Sequence, residues 1–179
     1  MTEVAVQYGT ALYELARDES LVDTILEQSR VLSESFQAEP RFTQLLCSPS
    51  IPKQERCQLL DSTLRDQIHP YLLNFLKILT EKGYIKHFSG CCKVFRQHYN
   101  TDNGILPVTA VTAQPLSDAL REKLIKKLSA VTGKTIDLSC RVDAECLGGV
   151  RLDFDGMQVD GTVRRRLEDI RGILSNTVL

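Results

Sequence analysis

Apolar side chains recur at helical spacing through the first hundred residues. Two stripes show this period most clearly, one made of Ile25, Ser29, Leu32 and Phe36, the other of Phe88, Cys92, Phe95 and Tyr99. Prolines and turn formers interrupt the pattern at Glu39-Pro40, at residues 48–52 and at His69-Pro70. The pattern therefore predicts about six helices with short connections, which together form a helical bundle.

The period changes after the turn-forming residues 100–104. Residues 106–113 are rich in Val and Thr, and residues 136–142 alternate apolar with polar side chains, as a strand with one buried face does. Between them, Ser117 can cap a helix that ends at Gly133, with a predicted stripe of Leu120, Leu124, Leu128 and Val131. A final helix is predicted from the stripe Val163, Leu167, Ile170 and Leu174.

Two domains are predicted from this change of period. Residues 1–104 form an all-α domain, a six-helix bundle. Residues 105–179 form a small α/β domain in the order strand, helix, strand, hairpin and helix.

The dipeptide Asp155-Gly156 predicts a two-residue hairpin turn and fixes the register of its strands. In that register Phe154 faces Met157, Leu152 faces Val159, Arg151 faces Asp160 and Asp153 faces Gln158. The first two pairs are apolar and share one side, so a one-residue slip would scramble both faces. Gly148, Gly149 and Gly161 complete the predicted turn residues. A phosphate-binding loop needs glycines between a strand and a helix, whereas Gly148 and Gly149 precede a strand.

Two helices have apolar arcs wider than one buried face requires. In the first, polar residues are confined to Gln7, Thr10, Glu14 and Arg17, which leaves an apolar arc of roughly 220° where about 100° would suffice. The helix at 71–81 repeats this pattern. Both helices can be central in the bundle, or part of each arc can line a groove for a partner helix.

Charge and composition exclude several classes of protein. The chain has 22 Lys and Arg against 23 Asp and Glu, a balance atypical of nucleic-acid binding. Met1 leads into polar residues, and no apolar run reaches the length of a membrane span, so we expect neither a secretory leader nor direct membrane insertion. No catalytic constellation is recognisable.

Six cysteines lie at positions 47, 57, 91, 92, 140 and 146, without a CxxC pair. We interpret them as reduced, mostly apolar filling, and we expect no cofactor or metal. One alternative remains at this stage. His87, Cys91 and His98 fall within roughly 40° on a helical wheel, so the chain could be a cytosolic metal- or redox-responsive protein.

The sequence resembles one family along its whole length: the delta subunit of F-type ATP synthases in its bacterial form, whose mitochondrial member is the oligomycin-sensitivity-conferring protein. The resemblance rests on the run from Tyr8 to Ala16, Ser48-Pro49 with Ile51, Asn74-Phe75-Leu76 with Ile78-Leu79, Val142-Asp143, Leu147-Gly148-Gly149-Val150, and Asp160-Gly161-Thr162-Val163-Arg164 with Leu167. One departure is Gly83-Tyr84, where an Arg usually follows the Gly.

The resemblance implies a non-catalytic stator subunit of the peripheral stalk. In this family the first and fifth helices receive the amphipathic N-terminal helix of one alpha subunit, and the C-terminal domain meets the C-terminal helices of subunit b. It thereby implies a partner-binding set of Tyr8, Ala11, Leu12, Leu15, Leu76, Ile78 and Leu79. It also implies a peripheral position on the cytoplasmic face of the bacterial cell membrane.

Overall fold

The computed structural model describes residues 2–146, 148–154 and 156–161, and the chain divides into two compact units, residues 1–99 and 100–179. The predicted final helix, with its stripe from Val163 to Leu174, lies outside the described residues. So does Asp155 of the predicted hairpin turn. That residues 1–104 fold independently of 105–179 stays a prediction.

The first unit, which we call the helical unit, packs its helices around one hydrophobic core. The helices are α1 (Glu3–Asp18), α2 (Val22–Ala38), α3 (Pro40–Cys47), α4 (Lys53–Leu64), α5 (Pro70–Glu81) and α6 (Phe88–Asp102), with a 3-10 turn at Ile85–His87. Pro40 and Pro70 stand at the starts of α3 and α5, where a missing N–H leaves no intrahelical bond unmade. The largest fully buried side chains of the core are Ile25, Leu46, Leu60, Leu72, Leu76, Leu79, Ile85, Phe88 and Phe95.

The second unit, the sheet unit, contains a four-stranded mixed sheet in the order β2-β1-β3-β4. Its elements are β1 (Ile105–Thr112), α7 (Asp118–Thr132), β2 (Thr135–Val142), a 3-10 turn (Ala144–Cys146), β3 (Val150–Phe154) and β4 (Met157–Asp160). Strands β1 and β2 are parallel, and α7 connects them as a crossover helix. Strand β3 pairs antiparallel with β1 and with β4. The predicted hairpin register is confirmed at all four pairs.

The predicted stripe of α7 is wrong at both of its ends. Leu124, Ile125 and Leu128 pack against the sheet, whereas Leu120 and Val131 are 54% and 85% exposed. The buried face of α7 includes Ile125, so it is rotated around the helix away from Leu120 and Val131, which stay in solvent. The predicted buried face of β2 holds only in its first half, because Ile136 and Leu138 are buried while Cys140 and Val142 are exposed.

Candidate partner-binding surface

Small residues bring α1 very close to α6. A methyl group added at Gly9 would lie 2.7 Å from the backbone oxygen of Cys91 and 2.8 Å from Cβ of Val94. On the other helix, a methyl group at Gly90 would lie 2.9 Å from Cβ of Ala5. This packing fixes the rotation of α1, since only the face that carries Ala5 and Gly9 can approach α6 so closely.

Two histidines add polar contacts along the same junction. Oγ1 of Thr2 hydrogen-bonds with Nδ1 of His87 over 3.3 Å, and Oγ1 of Thr10 hydrogen-bonds with Nε2 of His98 over 3.0 Å. The ring of His98 also stacks on the ring of Tyr13, with centroids 5.3 Å apart. The two threonines are about two helical turns apart, and their contacts hold the N-terminal half of α1 against α6 and the 3-10 turn that precedes it.

The packing leaves one apolar row of α1 facing outward. We define the α1 stripe as Val4, Tyr8, Ala11 and Leu15, which lie on one helical face. Ala11 and Leu15 are exposed, the latter by 40%, and Val4 and Tyr8 are half-buried. The buried face of α1, made of Ala5, Gly9, Leu12, Tyr13 and Ala16, separates this row from Val6, which is 45% exposed at the other edge of the wide apolar arc.

Helix α5 presents a shorter apolar strip. Its inner face is buried through Leu72, Leu73, Phe75, Leu76, Leu79 and Thr80. Tyr71 and Ile78, both 37% exposed, face outward, with the exposed Asn74 between them. On another side, Nζ of Lys77 lies 2.6 Å from Oδ1 of Asp61, so an ion pair fastens α5 to α4.

The turn that ends α5 connects this helix to the α1 stripe. Gly83 takes a left-handed backbone (φ 75°), and the N–H groups of Gly83 and Tyr84 donate to the carbonyls of Thr80 and Leu79. This glycine-ended helix terminus aims Tyr84 at α1. The rings of Tyr8 and Tyr84 meet edge to face with centroids 6.0 Å apart.

The predicted partner-binding residues separate into two groups. Leu12, Leu76 and Leu79 are at most 3% exposed, so these three belong to the core and we remove them from the predicted surface. Tyr8, Ala11, Leu15 and Ile78 retain exposed surface. Tyr71 and Tyr84 were not among the predicted residues, although Tyr71 falls on the exposed side of the wide α5 arc.

The alternative metal or redox site is unsupported by this arrangement. Cys91 is fully buried, and burial raises the pKa of its thiol to about 11, which disfavours the thiolate that a metal requires. His87 and His98 are engaged with α1 as described above. Among the described residues, no group of three or more His, Cys, Asp or Glu side chains could hold a metal ion.

The glycines of the hairpin have structural reasons for their positions. Gly156 is left-handed (φ 73°) and ends the turn between β3 and β4. Gly161 donates its N–H to the carbonyl of Val150, and a methyl group there would lie 3.1 Å from that oxygen. Gly148 and Gly149 also have positive φ, and Asp160 pairs with Arg151 across the hairpin. These residues shape the sheet, and no chemistry is required to explain them.

The chain is similar to known proteins along most of its length. The pattern of the ATP synthase delta (OSCP) subunit family matches residues 4–174. ATP synthase subunit delta of Clostridioides difficile (strain 630) is 27% identical over 98% of this chain and 97% of its own. ATP synthase subunit delta of Lacticaseibacillus casei (strain BL23) is 30% identical over 96% and 94%.

A solved structure shares the fold. A chain in the cryo-EM structure of the Toxoplasma gondii mitochondrial ATP synthase hexamer superposes with a TM-score of 0.77 at 16% identity, covering 97% of this chain and 98% of that one.

Within the part of the chain that the structure describes, every helix is too short or too polar to cross a membrane.

Proposed function

Since the chain belongs to the ATP synthase delta (OSCP) subunit family, we propose that it joins the catalytic head to the stalk through the α1 stripe and the outer side of α5. It is a non-catalytic subunit of the peripheral stalk. The helical unit acts as the six-helix bundle that contacts the head. It receives the amphipathic N-terminal helix of an alpha subunit.

The sheet unit supplies the other half of the link. It contacts the C-terminal helices of subunit b, which run to the membrane, and the complex works at the cytoplasmic face of the bacterial cell membrane. The head then stays fixed while the rotor turns. In this role the subunit needs binding strength under load and no reactive group, which fits a chain whose hairpin glycines and buried cysteines serve packing.

One observation carries the proposed contact: outward apolar residues on the two helices that the family uses. Leu15 and Ile78 are large aliphatic side chains, 40% and 37% exposed, on α1 and α5. The ring of Tyr8 packs edge to face against that of Tyr84, which follows α5, and this contact connects the two helices. A partner helix inserts anchors at spacing i, i+3, i+4 and i+7 against such a surface.

The test measures affinity and stability on the same variants. Leu15→Ala and Ile78→Ala should each weaken binding of an alpha N-terminal peptide of about 20 residues, roughly 30 Å as a helix. Truncation of a buried interface anchor commonly costs about 2 kcal/mol or more, which is roughly thirtyfold in Kd. Isothermal titration calorimetry reads the affinity, and thermal melts followed by circular dichroism read the stability.

Two further variants serve as controls. Val6→Ala removes a side chain of α1 that is 45% exposed but lies away from the stripe, so affinity should stay unchanged. Leu76→Ala truncates a core residue and should lower the melting temperature, since such cavities cost about 2–5 kcal/mol. The proposal fails if Leu15→Ala and Ile78→Ala bind as tightly as the unmodified protein, or if Val6→Ala weakens binding equally.

A further inference from the structure

Carboxylates border the α1 stripe along one side. Glu3, Glu14 and Asp18 are all exposed, and on a helical wheel they fall within about 60° of one another beside the stripe. Residues three apart on a helix are neighbours, so Glu14 lies next to Ala11 and Asp18 next to Leu15. We call these three carboxylates the acidic edge.

The acidic edge carries a net negative charge, because its three carboxylates face a single basic residue on α1. Salt bridges in the described part of the protein join Arg30 to Glu27 and Glu34, Lys77 to Asp61, and Arg151 to Asp153, and none of them reaches the acidic edge. Helix α1 contains one basic residue, Arg17, which follows Glu14 by three residues, but none of these salt bridges joins the two, and Arg17 lies about 100° around the helix from Asp18. Negative potential is therefore concentrated beside the apolar row, within a Debye length of about 10 Å at 0.1 M salt.

We infer that the α1 stripe selects an amphipathic helix with Lys or Arg residues along the margin of its apolar face, which the acidic edge contacts. The apolar row supplies most of the affinity, since exposed ion pairs add little free energy. The acidic edge supplies orientation and the rate of encounter, because opposite charges fix the register and direction of the incoming helix. This inference rests on the proposed function and specifies the chemistry of its partner.

A double-mutant cycle separates the charge contact from the apolar contact. The protein arms are the unmodified chain, Glu14→Gln/Asp18→Asn, and the control Glu55→Gln/Asp66→Asn, which removes two exposed charges far from α1 in sequence. The peptide arms are the alpha N-terminal peptide and a copy in which every Lys and Arg is replaced by Gln. Calorimetry at 50 and 300 mM NaCl gives four affinities for each protein.

We expect Glu14→Gln/Asp18→Asn to bind the natural peptide about three- to tenfold more weakly at 50 mM NaCl, the size expected for two exposed ion pairs. Its affinity should also depend less on salt. The control should match the unmodified protein, and all three proteins should bind the neutral copy alike. Because both substituted carboxylates are exposed, the melting temperature should barely change.

The possible failures are distinguishable. Equal affinity and equal salt dependence for the unmodified protein and Glu14→Gln/Asp18→Asn would overturn the acidic edge as a determinant of partner choice. If Leu15→Ala still weakens binding in that case, the proposed function stands. Absence of binding between the unmodified protein and the natural peptide would overturn the proposed function itself.

Discussion

Replacing Gly9 by Ala tests the close packing that fixes the rotation of α1. Gly9 is buried in the middle of the helix with an ordinary helical backbone, so alanine is permitted by its φ and ψ. The obstacle is tertiary. The added methyl group would meet the carbonyl oxygen of Cys91 at 2.7 Å and Cβ of Val94 at 2.8 Å. Neither atom is the end of a flexible side chain, so a whole helix must shift.

Two effects of opposite sign determine the result. Alanine is more favourable than glycine inside a helix by about 1 kcal/mol, which would stabilise the variant. Overpacking a dense interior costs about 1–3 kcal/mol, and contacts with two backbone-fixed atoms put this site in the upper part of that range. We therefore expect Gly9→Ala to lose about 1–2 kcal/mol of unfolding free energy. For a domain of roughly 100 residues, each kcal/mol lowers Tm by about 4–8 °C.

The assay is a pair of melts with a matched exchange in the same helix. Ala11→Gly is the reverse substitution at an exposed position of α1, so it measures the intrinsic difference between the two residues. If Ala11→Gly is destabilising and Gly9→Ala is also destabilising, propensity alone cannot explain both. A Tm that rises in Gly9→Ala by about the amount lost in Ala11→Gly would refute the close packing of α1 on α6.

Two further predictions concern the hairpin and the cysteines. Gly156→Val should destabilise the sheet unit by about 1–3 kcal/mol in a denaturant titration and Gly156→Asn by less, because φ is 73° and asparagine tolerates the left-handed region; equal midpoints would contradict the turn. In the folded protein at pH 8, iodoacetamide should label the exposed Cys47 and Cys140 much faster than Cys91 or Cys92. Only the thiolate reacts, and burial raises the pKa of Cys91 to about 11 and that of Cys92 to about 12. Equal labelling rates by mass spectrometry would contradict the burial of the last two, and their labelling should increase as pH rises towards 11.

Sequence periodicity was sufficient to predict the elements that depend only on residues close to them in sequence. The hairpin register follows from a turn dipeptide and alternation within ten residues, and every predicted pair is present. The change from helices to strands near residue 104 also follows from local pattern, because both periods can be counted without knowing any neighbour.

Periodicity was insufficient where the neighbour decides which part of an arc is buried. The wide arc of α1 includes Leu12 and Leu15, which the sequence treats alike, but the first is 3% exposed and the second 40%. The difference arises because Gly9 and Gly90 allow close contact between segments about eighty residues apart. A wheel drawn on one helix has no information about that contact. The same limitation misplaced the ends of the α7 stripe.

The α1–α6 junction also bears on how a stator subunit resists load. If the N-terminal helix of the alpha subunit docks on the α1 stripe, torque on the head acts directly on α1. Helix α1 is held in place by the close packing of Gly9 and Gly90 and by the contacts of Thr2 with His87 and of Thr10 with His98. A surface already ordered before binding loses little conformational entropy on association, so more of the interaction energy remains as affinity. Because affinity differences among variants of one interface appear mainly in the dissociation rate, loosening α1 should shorten the lifetime of the link even when every contact residue is intact.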